Sequence, residues 1–371
     1  MVNFNSNRTY GVEIEMSWGR NRKPSQASVA AALRRAGLDA SAEGYTHSIT
    51  SGWKVVSDAS VSNGHELVSP ILRGLDGKEQ LKKAMQAVKA IGAVTDPSCG
   101  VHVHHGVHDF SAKQLANIAE IYSNNEESID KLVAFSRRNT RWAQSMGNAR
   151  NYYDAATISL DGEWTSSRHD VNAKHELVYQ LAPQGRYFKV NFHSFVRQGT
   201  VEFRQHQTSL NAVRIWNWIV FTQMIVESAK GKRGKANKVT VNTGNPETAG
   251  ERALIRDLNM RKRIDPRSGR QNYDDITMNA LRGLARKRNV GMTNRAGQSL
   301  EIGLDINLRG GAVEDDSADD NMTPEQTHAA TCSGNMVERT NGQTGEAFMG
   351  CTNYRRGCRY SANVSRRMVA A

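Results

Sequence analysis

Gly199-Thr200-Val201-Glu202-Phe203-Arg204-Gln205-His206 decides the fold, because uncharged residues alternate in it with ionisable ones. Successive side chains on a strand point to opposite faces, so residues two apart project together, about 6.5–7 Å apart along the strand. Val201, Phe203 and Gln205 then form one row, and Glu202, Arg204 and His206 the other. Three more segments repeat the pattern: Val12-Glu13-Ile14-Glu15-Met16, His65-Glu66-Leu67-Val68 and Val101-His102-Val103-His104. Paired in one sheet, the four strands bury an apolar face. They gather Glu13, Glu15, Glu66, His102, His104, Glu202, Arg204 and His206 on the other.

A half-exposed sheet ordinarily carries mixed Thr, Lys, Ser and Arg on its wet side. Four strands supplying mainly Glu and His crowd like charges, which is unfavourable unless something positive sits among them. A divalent cation resolves the conflict, and a carboxylate-rich set with few nitrogens suits Mg²⁺ or Mn²⁺ better than zinc. Arg204, two residues from Glu202 on the same face, supplies a fork suited to phosphate or carboxylate oxygens. Metals, carboxylates and an arginine are the parts of a nucleotide-dependent phosphoryl transfer. No G-x-x-x-x-G-K-[ST] loop is present to serve as a P-loop.

Around the strands lie helix patterns. Ser25 to Ala36 has Ala and Leu at helical spacing and stops at Gly37, and Lys78 to Ile91 stops at Gly92. Ser111 is expected to cap a long helix through Ile118, Ile121 and Leu132, and Asn211 another through Ile215, Ile219 and Met224. The latter, with Trp216, Trp218 and Phe221, is apolar nearly all round and is expected to be buried. The fold class expected is therefore α+β.

With 38% hydrophobic residues among 371, the chain can bury one large core and carry an appendage. We divide it into a catalytic core over 1–230, a basic and partly helical segment over 231–300, an acidic linker over 301–325 and a small module over 326–371. Most of the net charge of +12 falls in the basic segment, which reads as a solvated face and less readily as a nucleic-acid contact. No apolar run approaches bilayer-spanning length, so no membrane partner is expected. The N-terminus lacks the sections of a secretory signal. Four cysteines are too few for a disulfide framework, which makes a reducing cytoplasm the expected location.

The strand motifs resemble the amidoligase family, relatives of glutamine synthetase and glutamate–cysteine ligase. The matching pieces are Tyr10-Gly-Val-Glu-Ile-Glu15, Glu66-Leu-Val-Ser-Pro-Ile-Leu72, Cys99-Gly-Val-His-Val-His104, Arg186-Tyr-Phe-Lys-Val-Asn191 and Gly199 to His206, in that order. The resemblance implies a curved antiparallel sheet with helices on its outer face, as in the glutamine synthetase catalytic fold, and a site in the concave face. It implies that ATP phosphorylates a substrate carboxylate and that an amine attacks the acyl phosphate. Its metal ligands match Glu13, Glu15, Asp58, Glu66, His102 and Glu202, and its phosphate contact matches Arg204. His104 and His206 match the pattern as further catalytic candidates beside Glu13, Glu202 and Arg204. Arg138, Asn191 and Tyr187 are expected to position nucleotide or substrate. Cys99, beside the His strand, reads as a small buried residue before it reads as a nucleophile.

The tail, with Cys332, Cys351 and Cys358, resembles the small zinc ribbon at topoisomerase C-termini. A structural zinc site wants four tetrahedral ligands. The usual first cysteine is absent, and His328 is the nearest substitute. Arg355, Arg356 and Arg359 beside Tyr354 and Tyr360 would make a small surface for single-stranded nucleic acid. Two other readings compete with the ligase. One is a cupin-like mononuclear metalloenzyme built on His102-x-His104, which leaves Glu13 and Glu15 unexplained. The other is a nucleic-acid-binding protein acting through the basic segment and ribbon, which leaves the Glu-rich strands unexplained.

Overall fold

The computed structural model of the protein describes residues 4–44, 46, 48–58, 61, 63–95, 98–130, 132–138, 140–146, 168–182, 185–231, 336–340, 347–352 and 361–363. Its main strands are β1 (Tyr10–Ser17), β2 (Ala40–Ala42), β3 (Trp53–Val56), β4 (Gly64–Val68), β5 (Gly100–Gly106), β6 (Val190–Asn191) and β7 (Thr200–Gln207). They form a seven-stranded sheet in the order β2-β3-β4-β1-β5-β7-β6. The four alternating segments are all strands, and the architecture is α+β. The sheet is mixed, which corrects the expectation of antiparallel pairing throughout. β2 pairs parallel with β3, whereas β4 is antiparallel to both β3 and β1. Residues 43–52 separate the two parallel strands in the sequence.

The described residues divide into two compact units. One falls within Glu13–Cys99, Thr208–Ala212 and Asp315–Ala371. Here α1 (Gln26–Arg35) begins as expected at Ser25, whose Oγ accepts from Ser28 N, and ends before Gly37, which takes φ +79°. The second helix, α2 (Gly74–Ala90), starts about a turn earlier than the spacing predicts. Ile14, Leu67 and Val55 are register partners across β1, β4 and β3, and each is fully buried. Trp53 shares that face and donates its indole N–H to Gln80 of α2 at 3.2 Å, so this is the helix side. Each such aliphatic side chain contributes about 1.5–3 kcal/mol on burial. Gly64 has no side chain for a physical reason, since a Cβ there would lie 2.2 Å from Met16 O.

The other unit falls within Met1–Val12, Gly100–Gln207 and Val213–Glu314. Ser111 caps α3 (Ala112–Asn124) through a capping box with Gln114. The helix does not continue to Leu132. Asn125 donates its amide to Ile121 O at 2.8 Å and closes the end, and a short α4 (Glu126–Asp130) follows. Its Glu126 and Asp130 both take the buried Lys189 ammonium, at 2.7 and 2.6 Å, which fixes α4 separately from α3. After a 3₁₀ turn (Phe135–Arg137) come α5 (Arg168–Leu181), α6 (His193–Gln198) and α7 (Ala212–Gly231). Trp218, Ile219, Phe221 and Ile225 of α7 are buried, as the all-round apolar pattern demands. Arg8 ties the chain start to this layer, donating to Gly106 O and to Asp109 while its guanidinium lies 5.0 Å from the Phe110 ring centre.

A separate three-stranded antiparallel sheet is formed by β8 (Met336–Thr340), β9 (Ala347–Cys351) and β10 (Ser361–Asn363). Cys351 ends β9, whereas His328, Cys332 and Cys358 lie outside the described residues, as do the basic segment and the acidic linker. Among the described residues no helix is long and apolar enough to cross a membrane.

Candidate active site

Glu202 is the centre of the cluster on β5, β6 and β7. It is buried, 4% exposed, and three groups converge on it. Asn191 pairs with it across β6 and β7 and donates Nδ2 at 2.5 Å, while Arg204 Nη1 donates to its Oε1. His102 Nδ1 lies 3.4 Å from the same Oε1. Asn191 has its orientation set from behind, because its Oδ1 accepts from His193 N at the start of α6 and leaves the amide N–H for Glu202. His104 stands directly opposite Glu202, with its Nδ1 3.1 Å from Thr200 Oγ1. Arg204 also donates Nε to Trp142 O at 3.4 Å. A carboxylate held by an amide and a guanidinium beside an imidazole is held in orientation, as a cation ligand must be.

His206 is not on that face. Val101 pairs with His206 but Val103 pairs with Phe203, so the register slips by one and β7 carries a bulge at Arg204 and Gln205. Residues directly opposite share a face, so His206 goes to the side of Val101, Val103 and Phe203. It is fully buried there, its ring 5.1 Å from that of Trp218 on α7. Gln205 stays on the helix side as expected, accepting from Tyr122 OH and donating to Asp130. His105, also on this side, bonds Thr222 at 2.8 Å, and burial pushes its pKa well below the ordinary value, helped by the charges of Arg8 and His104.

In the other unit the pairing is regular. Glu15 and Glu66 are direct register partners across β1 and β4, and Glu66 faces Val56 of β3. Glu13 pairs with Val68, and Val68 in turn with Lys54. The carboxylate face thus also carries Lys54, a residue the sequence reading passed over. Its side chain is buried, and its ammonium donates to the carbonyls of Thr46 and Ser48. The signal was present in Trp53-Lys54-Val55-Val56, where a lone cation interrupts an apolar strand. Asp58 lies half-buried in the loop after β3.

The remaining candidates are placed less centrally. Arg138 is half-buried and donates to Val133 O at 3.4 Å, with its pKa lowered by burial against the pull of Asp130. Tyr187 packs edge-on against Trp142, ring centres 5.3 Å apart, with the Arg186 guanidinium 5.2 Å from its own ring. Cys99 is fully buried, in keeping with a packing role.

The donor chemistry fits a hard divalent cation. In one unit Glu13, Glu15 and Glu66 qualify as cation ligands, and in the other His102 and Glu202 do. The facing pair Glu15 and Glu66 carries the stronger argument, because like charges directly opposite on a sheet destabilise it. Carboxylate oxygens suit Mg²⁺ or Mn²⁺.

A mixed sheet with helices makes this an α+β protein whose strands carry carboxylates, imidazoles and a guanidinium. The family described as "Putative amidoligase enzyme" matches residues 6–226, and the chain belongs to it. That membership supports a ligase. No curated protein matches the chain.

Proposed function

We propose that the protein is an ATP-dependent carboxylate–amine ligase. Membership of the amidoligase family supports this reading, and the observation that carries it is the buried Glu202, held by Asn191 and Arg204 beside His102. In the first step a substrate carboxylate oxygen attacks the γ-phosphorus of ATP, forming an acyl phosphate and releasing ADP. In the second an amine nitrogen attacks the acyl carbon, the C–O bond to phosphate breaks, and the nitrogen loses its proton as the amide forms.

Glu13, Glu15, Asp58, Glu66, His102 and Glu202 would hold Mg²⁺ or Mn²⁺, which when bound offsets charge on the phosphates during transfer. Arg204 orients the transferred phosphate through its planar fork. Asn191 keeps Glu202 aimed, and its own Oδ1 is fixed by His193 N. His104, paired with Glu202 across β5 and β7, is the residue we assign to take the proton lost by the amine. Structural zinc in the tail and a weak nucleic-acid contact there remain part of the proposal, as does a cytoplasmic setting.

The test is release of ADP and phosphate by the full chain given ATP, Mg²⁺ and pooled carboxylates and amines. Glu202→Ala is expected to lower release on the order of 10²–10³-fold. Release that survives the substitution overturns the site, and no release with any pool overturns the ligase reading.

A further inference from the structure

The bulge on β7 is braced by an arginine of the 3₁₀ turn. Arg137, in the 3₁₀ turn, is buried, only 4% exposed. Its Nη2 donates to Arg204 O at 2.8 Å and its Nε to Gln205 O at 3.4 Å, the two carbonyls of the bulge. The turn that carries it is anchored to the same strand, since Ala134 N donates to Gln207 Oε1 at 2.9 Å. Gly100 makes room, because a Cβ there would lie 2.7 Å from Arg137 Nη2 and 3.1 Å from its Cζ. A bulge leaves backbone groups without ladder partners, and buried carbonyls without partners are costly. Arg137 donates to two carbonyls of this bulge.

We infer that Arg137 is the positioning residue of the Glu202–Arg204 pair, acting through the bulge carbonyls; this rests on the function proposed above. The register shows why the brace matters. With the bulge, Glu202 pairs with His104 and Phe203 with Val103, while His206 pairs with Val101. Without it, one end of β7 must shift by a residue, and either His206 or Glu202 changes face. The bonds from Arg137 to β7 go to its backbone carbonyls. Arg137 decides which side chains the strand presents.

The experiment uses the full chain as wild type, Arg137→Gln, Arg137→Lys and Gly100→Ala, each held well below its own Tm. Hydrogen–deuterium exchange is read over 200–207, with 64–68 as the reference strand, and Mn²⁺ binding is read by electron paramagnetic resonance. Arg137→Gln is expected to speed exchange over 204–206 by on the order of 10-fold while 64–68 is unchanged. Mn²⁺ affinity is expected to fall on the order of 10-fold. Arg137→Lys, which keeps the charge and one bond, should lie between, and Gly100→Ala should follow Arg137→Gln even if the latter folds poorly. Unchanged exchange and affinity overturn the inference. Faster exchange with unchanged Mn²⁺ affinity makes Arg137 a structural brace alone and also overturns it. Wild type that binds no Mn²⁺ sinks the proposed function and the positioning role with it, and exchange then decides only whether Arg137 braces the bulge.

Discussion

The β1–β4 pair and the β5–β7 pair are built from the same alternating pattern but use it differently. Across β1 and β4 the register runs without interruption from Glu13↔Val68 to Ser17↔Gly64, so alternation alone sorts every side chain to its face. Across β5 and β7 it slips between Val101 and Val103, and one residue read as part of the polar row ends in the core. Alternation is therefore reliable only while the pairing stays in phase. A single inserted residue reverses it from that point on.

The largest expected effect comes from the regular pair. Glu66→Gln removes one of two facing carboxylates, so the metal-free protein should gain up to about 1 kcal/mol. Its Mn²⁺ affinity should fall on the order of 100-fold. Thermal melts in chelator and in excess Mn²⁺ check both at once, because the substitution should raise the first Tm and narrow the difference between the two. A chelated Tm lower than wild type would show that the facing carboxylates do not repel each other, and the comparison between the pairs would lose its first half.

The irregular pair is probed by His206→Ala. On the helix side against Trp218, His206 contributes packing, and its loss should cost about 2–3 kcal/mol. Mn²⁺ affinity should stay within about twofold, as expected of a site without direct contact. The opposite outcome, a stable protein with weakened Mn²⁺ binding, would return His206 to the polar face and remove the bulge from the account.

These contrasts mark what the sequence could tell. The four strands, the caps at Ser25 and Ser111 and the buried helix after Asn211 were legible, because period and capping are local signals. The places of Glu13, Glu15 and Glu66 followed from alternation within an unbroken register. His206 did not, because a bulge is decided by Arg137 and Gly100, which lie far from it along the chain. Lys54 was missed because a lysine in a strand ordinarily points to water, whereas here the loop carbonyls of Thr46 and Ser48 receive its buried ammonium. The division of α3 from α4 was hidden for the same kind of reason, since Lys189 selects Glu126 and Asp130 from a distant segment.

The smallest expected effect concerns how the β5 end of the irregular pair is fastened. Arg8 bonds Gly106 O at the end of β5 and pairs with Asp109, which Lys230 also meets. Burial alone would raise the Asp109 pKa, but the hydrogen bonds and charges of Arg8 and Lys230 hold it down at about 2. A folded-state pKa below the unfolded one, about 3.9, gives stability that is complete above the unfolded value and is lost as pH falls through the folded one. The window is therefore about pH 4 down to 2. The shift alone would suggest more than 2 kcal/mol, but the Asp109 side chain is 34% exposed. Solvent screening reduces the contribution to about 1 kcal/mol. Asp109→Asn should accordingly lower Tm at pH 7 by about 2–4 °C and flatten the loss of stability between pH 4 and 2. A variant that melts with the same acid limb as wild type would show that the Arg8 clamp does not hold β5. The slip in its pairing with β7 would then rest on Arg137 alone.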